Sequence, residues 1–191
     1  MDIIRLEDLA QTPWKNGGGL TRQIAAAFEG EAMLWRLSLA DVAQDGAFSR
    51  FPGLCRILTV LTGAGLRLEH GTEVMLAEHW TPLRFDGGLD VFGRLTAGPV
   101  SDFNLMFDPD RCAANVAVLR GRHVQDLAED MAIHCLAGAP SVGTMRMGRG
   151  DTILVNGDAA PLTLAAEDAV LLVTFGYLDQ RDLSKRVIVL R

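Results

Sequence analysis

Along most of the chain, apolar and polar residues alternate in short runs separated by glycine. Residues 33–41, MLWRLSLAD, put Met33, Trp35, Leu37 and Leu39 on one side of an extended strand. Residues 55–63, CRILTVLTG, put Ile57, Thr59 and Leu61 on one face and Arg56, Leu58 and Val60 on the other. Further runs of the same kind are EVMLA, PLRF, LDVFGRLT, FNLMF, AANVAVL, MAIHCLAG, DTILVNG, PLTL, AVLLVTFG and the terminal RVIVLR. Many short strands joined by Gly-bearing turns predict an all-β sandwich or barrel with few short helices. The best helical candidate is DLAEDMA, residues 126–132.

A weak internal repeat refines this. GTEVMLAEHWTPLRF (71–85) lies over GDTILVNGDAAPLTL (150–164), matching Gly71 with Gly150, Val74 with Ile153, Pro82 with Pro161 and Leu83 with Leu162. VLTGAG (60–65) resembles CLAGAP (135–140) at a different offset. Repeated strand–turn–strand units predict two similar β-barrels in tandem. The arrangement is similar to a pair of cupin-like, RmlC-like jelly-roll barrels, a bicupin. No Pro/Ser/Gly linker divides it, so one body over residues 1–191 is expected, with approximate halves 1–110 and 111–191. Metal-binding cupins hold their ion with a His-x-His pair, because strand alternation delivers two imidazoles to one ion from positions two apart. His70, His79, His123 and His134 contain no such pair. Neither a metal nor another cofactor is expected.

Composition narrows the function. Hydrophobic residues make up 49% of the 191 positions and charged residues 22%, an ordinary globular balance. The net charge of −6 argues against a nucleic-acid partner, which needs a cationic face. The longest apolar stretch, AVLLVTFGYL, is about half of a membrane span. MDIIRLEDLA lacks the basic start and small-residue cleavage site of a signal peptide. Cys55, Cys112 and Cys135 have no disulfide or zinc spacing, so a cytoplasmic protein away from membranes is expected.

Three stretches could carry chemistry. In TPWKNGGGLTR (12–22), Asn16-Gly17 is a strong type I′ hairpin signal, which leaves Gly18 and Gly19 without a role. The alternative is a nest of backbone N–H groups from Gly17, Gly18 and Gly19 facing an anionic or carbonyl-bearing ligand, with Lys15 adding charge and Asn16 a donor and an acceptor. On the residues alone the two readings stand level. Arg56, among apolar neighbours, needs a carboxylate or a ligand if it points inward, and reaches the barrel rim if it does not. In GPVSDFNLMFD (98–108), Asp102 and Asn104 alternate with Phe103 and Leu105, and Asp102 is the obvious salt-bridge partner for Arg56. Arg36, Ser38 and Asp41 read as polar punctuation of a core strand. No nucleophile–base pair or G-x-S-x-G elbow is present, so binding rather than turnover is expected.

The blocks TPWKNGGGLTRQI, WRLSLADVAQDGAFSRFPGLCRILTVLTGAG and GPVSDFNLMFD, in that order, resemble the HutD/Ves family over about the first 110 residues. Ala47 and Gln23 depart from the usual Pro and Glu of that pattern. The resemblance implies a metal-free bicupin. In the HutD branch it implies a regulatory role in histidine utilisation through a small carboxylate such as formylglutamate or urocanate. In the Ves branch it implies a cold or stress response. No established catalytic activity comes with the family. The resemblance shifts Lys15, Asn16, Gly17, Gly18 and Gly19 toward a pocket wall, which Arg56, Asp102 and Asn104 would meet at one barrel mouth. Two other readings stay open: an enzyme with Lys15 or a histidine as general base, and a protein-interaction scaffold. A homodimer is compatible with the sequence.

Overall fold

The computed structural model describes residues 1–127, 130–157, 160–178 and 186–190. In chain order the strands are β1 (Asp2–Ile4), β2 (Thr12–Pro13), β3 (Gly19–Glu29), β4 (Ala32–Val42), β5 (Gly46–Ala47), β6 (Cys55–Thr62) and β7 (Leu66–His70). They continue with β8 (Glu73–Ala77), β9 (Leu83–Asp86), β10 (Phe92–Leu95), β11 (Val100–Phe107), β12 (Cys112–Arg120), β13 (His123–Leu127) and β14 (Met131–Ala137). The last are β15 (Ser141–Val142), β16 (Met145–Arg146), β17 (Thr152–Val155), β18 (Ala160–Leu164), β19 (Ala169–Tyr177) and β20 (Arg186–Leu190). Among the described residues the helical content is one 3-10 turn, Leu6–Asp8. The fold is therefore all-β. The helical candidate at 126–132 has residues 128 and 129 outside the described set, and strands flank them.

The chain divides into two compact units, each built from two separate stretches of sequence. The N-terminal unit comprises Ala10–Ala113 and Tyr177–Arg191; the C-terminal unit comprises Met1–Leu9 and Ala114–Gly176. In the N-terminal unit a seven-stranded sheet runs β2-β3-β4-β11-β6-β9, with β20 also on β3, and a four-stranded sheet runs β5-β10-β7-β8. Its core is shared by both sheets: Leu58, Val60 and Phe85 from the larger, Leu66, Leu68 and Ala77 from the smaller. In the C-terminal unit the sheets run β1-β17-β14-β19-β12 and β13-β18-β15-β16, around Ile133, Val155, Val170 and Leu172 from one and Leu127, Leu162 and Leu164 from the other.

The two units repeat one topology. The order β4-β11-β6-β9 recurs as β12-β19-β14-β17, and β5-β10-β7-β8 recurs as β13-β18-β15-β16. The repeat extends to a bulge. The β6–β11 pairing skips Leu61 between Val60↔Asp102 and Thr62↔Ser101, and the β14–β19 pairing skips Leu136 between Cys135↔Val170 and Ala137↔Ala169. A glycine with positive φ follows each bulge: Gly63 at 93° and Gly138 at 76°. A Cβ on Gly138 would stand 1.9 Å from Asp168 Oδ1, and one on Gly63 would stand 2.6 Å from the Pro99 carbonyl, so glycine is required at both. The VLTGAG and CLAGAP segments thus occupy equivalent places. The 71–85 and 150–164 segments do not: their leading strands are β8, an edge of the smaller sheet, and β17, a member of the larger. That match reflects only a shared strand-and-Pro pattern.

Candidate functional site

Three adjacent strands of the N-terminal unit build the site in rows. Met106 of β11 pairs with Arg36 of β4 and Arg56 of β6; Asn104 pairs with Ser38 and Leu58; Asp102 pairs with Ala40 and Val60. Side chains two apart on a strand share a face. Two guanidinium groups, a hydroxyl, a carboxamide and a carboxyl therefore fall on one side of the sheet. Thr21 of β3, paired with Ala40, extends the lowest row. Together with Trp14, Lys15 and Asn16 from the β2–β3 turn, and Phe48, Ser49 and Phe51 from the segment after β5, they line a cavity of about 590 Å³. That is room for a small organic ligand. The alternate face of β4 and β11, with Trp35, Leu37, Leu39, Phe103 and Leu105, is buried and apolar.

Arg56 points inward and is only 4% exposed. Its Nη2–H donates to Asn104 Oδ1 at 2.8 Å, and Asn104 Nδ2–H donates in turn to Asp102 Oδ1. The expected direct salt bridge is thus replaced by a relay, with the amide of Asn104 between the charges. Phenyl rings surround the guanidinium, their centroids lying 5.4 Å (Phe48), 5.8 Å (Phe51) and 5.1 Å (Phe85) from its carbon. Arg36 lies 5.7 Å from the Phe51 ring. Such faces stabilise a cation while excluding water. Among the described residues the Nε–H groups of Arg36 and Arg56, and Asp102 Oδ2, are buried without a hydrogen-bond partner.

Burial shifts these groups. It pulls the Arg56 guanidinium down to about 10, with Asp102 opposing and Arg36 assisting, so Arg56 stays charged at neutral pH. It lowers Arg36 as well. Burial pushes the fully enclosed Asp102 carboxyl up to about 7; Asp41 adds to the rise, and Arg56 and the Asn104 N–H hold it back. Asp41 itself is engaged at 2.7 Å by Arg22. The cavity thus holds three basic side chains, Lys15, Arg36 and Arg56, against one carboxyl that burial pushes up to about 7.

The glycine run shapes one wall of this cavity. Gly17 N–H donates to the Trp14 carbonyl at 3.0 Å, Trp14 N–H donates to the Gly19 carbonyl at 2.9 Å, and Gly18 N–H donates to Asn16 Oδ1 at 3.0 Å. Lys15 and Asn16 are the central residues of this turn, and Gly17 follows them at φ 70°. A type I′ turn at Asn16-Gly17 would need positive φ at Asn16; among non-glycine residues described here only Trp80 has it. A Cβ on Gly19 would meet the Asp41 carbonyl at 2.3 Å, so Gly19 is what lets β3 close against β4. Gly17, Gly18 and Gly19 do not line the cavity, and the N–H groups of Gly17 and Gly18 are consumed inside the turn. This geometry corrects the nest reading: the glycines hold Lys15 and Asn16 at the mouth and offer no row of free donors.

Of the eight candidates from the sequence, Lys15, Asn16, Arg56, Asp102 and Asn104 line one cavity. Sequence reasoning took Arg36 only as polar punctuation of a core strand and did not include Trp14 or Phe48 among the site candidates. The signal for Arg36 was present in the alternation Arg36–Ser38–Ala40, which faces the same way as Asn104 and Arg56. Phe48 and Trp14 come from loop and turn, where periodicity carries no information. Among the described residues no three His, Cys, Asp or Glu side chains cluster as metal ligands would, and a cavity with three cations does not suit a metal ion.

Fold and site together define a cupin-like β protein with a cationic, aromatic-lined cavity. Bacterial pirin YhhW from Escherichia coli shares the fold at a TM-score of 0.64 and 7% identity, over 91% of this chain and 97% of that one. The HutD family model matches residues 6–172, and the chain belongs to the HutD family. HutD from Pseudomonas fluorescens SBW25 superposes with a TM-score of 0.82 and 30% identity, over 93% of this chain and 99% of that one. An uncharacterised 21.2 kDa Pseudomonas putida protein from the hutC 3′ region is 39% identical over 119 residues, 61% of this chain and 63% of that protein, so the match spans less than two thirds of that relative. Protein Ves from Cronobacter sakazakii is 33% identical over 142 residues, 73% of this chain and 78% of that protein. The family is associated with the histidine-utilisation locus. No helix among the described residues is long and apolar enough to cross a membrane.

Proposed function

We propose that the cavity of the N-terminal unit binds a small carboxylate of histidine degradation, formylglutamate-like or urocanate-like, and that the protein acts as a metal-independent regulatory binding module. One observation carries this reading. Arg56 is a buried cation that donates to the neutral amide of Asn104, with aromatic rings around it and its Nε–H unmatched. A buried charge that reaches its carboxylate only through an intervening amide is incompletely compensated, and an anion entering the cavity offsets that cost. Lys15 and Arg36 make the cavity cationic within a chain of net charge −6, which favours entry of anions over cations.

The test is a thermal-shift panel with histidine, urocanate, formiminoglutamate, formylglutamate, glutamate and formate. At about a hundred times its dissociation constant a ligand stabilises the fold by about 2.7 kcal/mol. A rise for one acid that disappears in a folded Arg56→Met variant is expected. A flat panel, or a rise that survives in Arg56→Met, removes this reading.

A further inference from the structure

Resting on the carboxylate reading, we propose that Asp102 makes binding proton-linked: the cavity takes up the anion together with a proton, which Asp102 holds. Arg56 has one positive charge, and Asp102 already draws on it through Asn104. A ligand carboxylate seated on Arg56 competes for that same charge within an enclosed space. A second ionised carboxylate brought beside Asp102 adds like-charge repulsion in that enclosed space, and the fully buried carboxyl is the one that yields. Asp102 is 0% exposed, and its Oδ2 has no partner to lose on protonation.

The groups around Asp102 set the direction. Burial and Asp41 on β4 oppose its ionised form, while Arg56 on β6 and the Asn104 N–H on β11 favour it; Asp41 is itself paired with Arg22 of β3, and Arg36 of β4 and Lys15 line the same cavity. The balance leaves Asp102 titrating at about 7 before any ligand arrives. An added anion tips it to the neutral form. At pH 8 the free protein carries mostly ionised Asp102 and must bind a proton first, so affinity falls about tenfold between pH 6 and pH 8. The cavity thereby responds to acid concentration and to pH together.

The experiment is calorimetric titration of formylglutamate, with urocanate as a second probe, at pH 7.5 in two buffers of different ionisation enthalpy. The expected result is uptake of between half and one proton per ligand, abolished in Asp102→Asn. The amide mimics the neutral acid, so that variant should bind equally at pH 6 and pH 8. Should Asp102→Asn not fold, the wild-type protein with ¹³C-labelled aspartate is read instead by the infrared carbonyl band of a protonated carboxyl, which should grow on adding ligand at pH 8. Binding without proton uptake, uptake that persists in Asp102→Asn, or no growth of that band overturns the inference while leaving the carboxylate reading intact. Absence of binding by either probe and by the rest of the panel overturns both.

Discussion

The two units set the same rows of the same strand pattern to opposite uses. In the N-terminal unit the pairs Asp102↔Val60, Asn104↔Leu58 and Met106↔Arg56 face a cavity. With the shared bulge as marker, the matching pairs of the C-terminal unit are Val170↔Cys135, Leu172↔Ile133 and Thr174↔Met131. There the positions of Asp102, Asn104 and Arg56 are held by Val170, Leu172 and Met131, which pack into the core. A bulge, a following glycine and a strand order are thus common property, whereas the polar side chains in these rows are not. The cavity arises where three substitutions exchange apolar volume for polar groups, and where a turn and an aromatic segment wall off the space so created. The polar cavity belongs to the N-terminal unit, and the C-terminal unit shows the same rows filled by apolar side chains.

The strongest way to break this comparison is to write the polar pair into the filled unit. Val170→Asp with Leu172→Asn places a carboxyl and an amide at buried positions, 0% and 7% exposed, among apolar neighbours. Unpaired buried polar groups cost several kcal/mol, and core volume is lost as well. The expected loss exceeds about 4 kcal/mol, read as a collapse of the denaturant midpoint or failure to fold. A double variant with an unchanged midpoint would mean that the rows of the C-terminal unit are not tightly packed, and the contrast would fall.

How much of this contrast was legible beforehand depends on which residues carry it. The alternation of β4, β6 and β11 exposed the strands and the shared face of Arg56, Leu58 and Val60, because a period of two is written directly in the side chains. Arg56, Asp102 and Asn104 stood out because charge and amide interrupt apolar runs. The relay through Asn104 was not legible: it depends on register, and register is set by bulges and turns that leave little mark on sequence. The bulge did leave a mark, the Leu-x-Gly-Ala shared by 61–64 and 136–139, yet a longer alignment of unrelated strands looked equally good. The glycine run was overread for a related reason. Close approach of Gly19 to the Asp41 carbonyl is a requirement of β3–β4 pairing, and glycine serves a tight contact and an open donor nest with the same letter.

A smaller and sharper break uses pH, because burial shifts Asp102 of one unit and His134 of the other in opposite directions. Asp102 is raised from 3.8 to about 7, so the folded state holds its proton more tightly than the unfolded chain does. Its contribution is full below about 4 and is lost as pH rises through 7. His134, buried in the C-terminal unit and 2.9 Å from Thr152 Oγ1, is lowered by burial from 6.5 to about 4 despite the Asp151 charge. It is neutral in the fold, and its contribution is full above 6.5 and lost as pH falls toward 4. Asp102→Asn should therefore gain stability over wild type progressively from pH 4 to 7, and His134→Gln from pH 6.5 down to 4. Each gain should be on the order of 2–4 kcal/mol at its limit. Urea midpoints across that range check both; parallel curves for the two variants would show that the buried groups do not distinguish the units.

The smallest expected effect separates two parts of one cavity. Lys15 lines it from the central position of an exposed turn, while Arg56 is enclosed. An exposed charge interacts through solvent and is worth about 0.2–1 kcal/mol, whereas a desolvated one is not so discounted. Lys15→Met should leave unfolding unchanged within about 0.5 kcal/mol and weaken carboxylate binding by no more than about fivefold. Raising the salt to about 1 M should erase that difference, since screening then acts within about 3 Å. Arg56→Met should lose binding at every salt concentration. Titrations of the two variants at low and high salt separate rim from floor. If Lys15→Met abolishes binding as Arg56→Met does, the mouth of the cavity closes over the ligand and Lys15 works as a desolvated contact, not as a guide for entering anions.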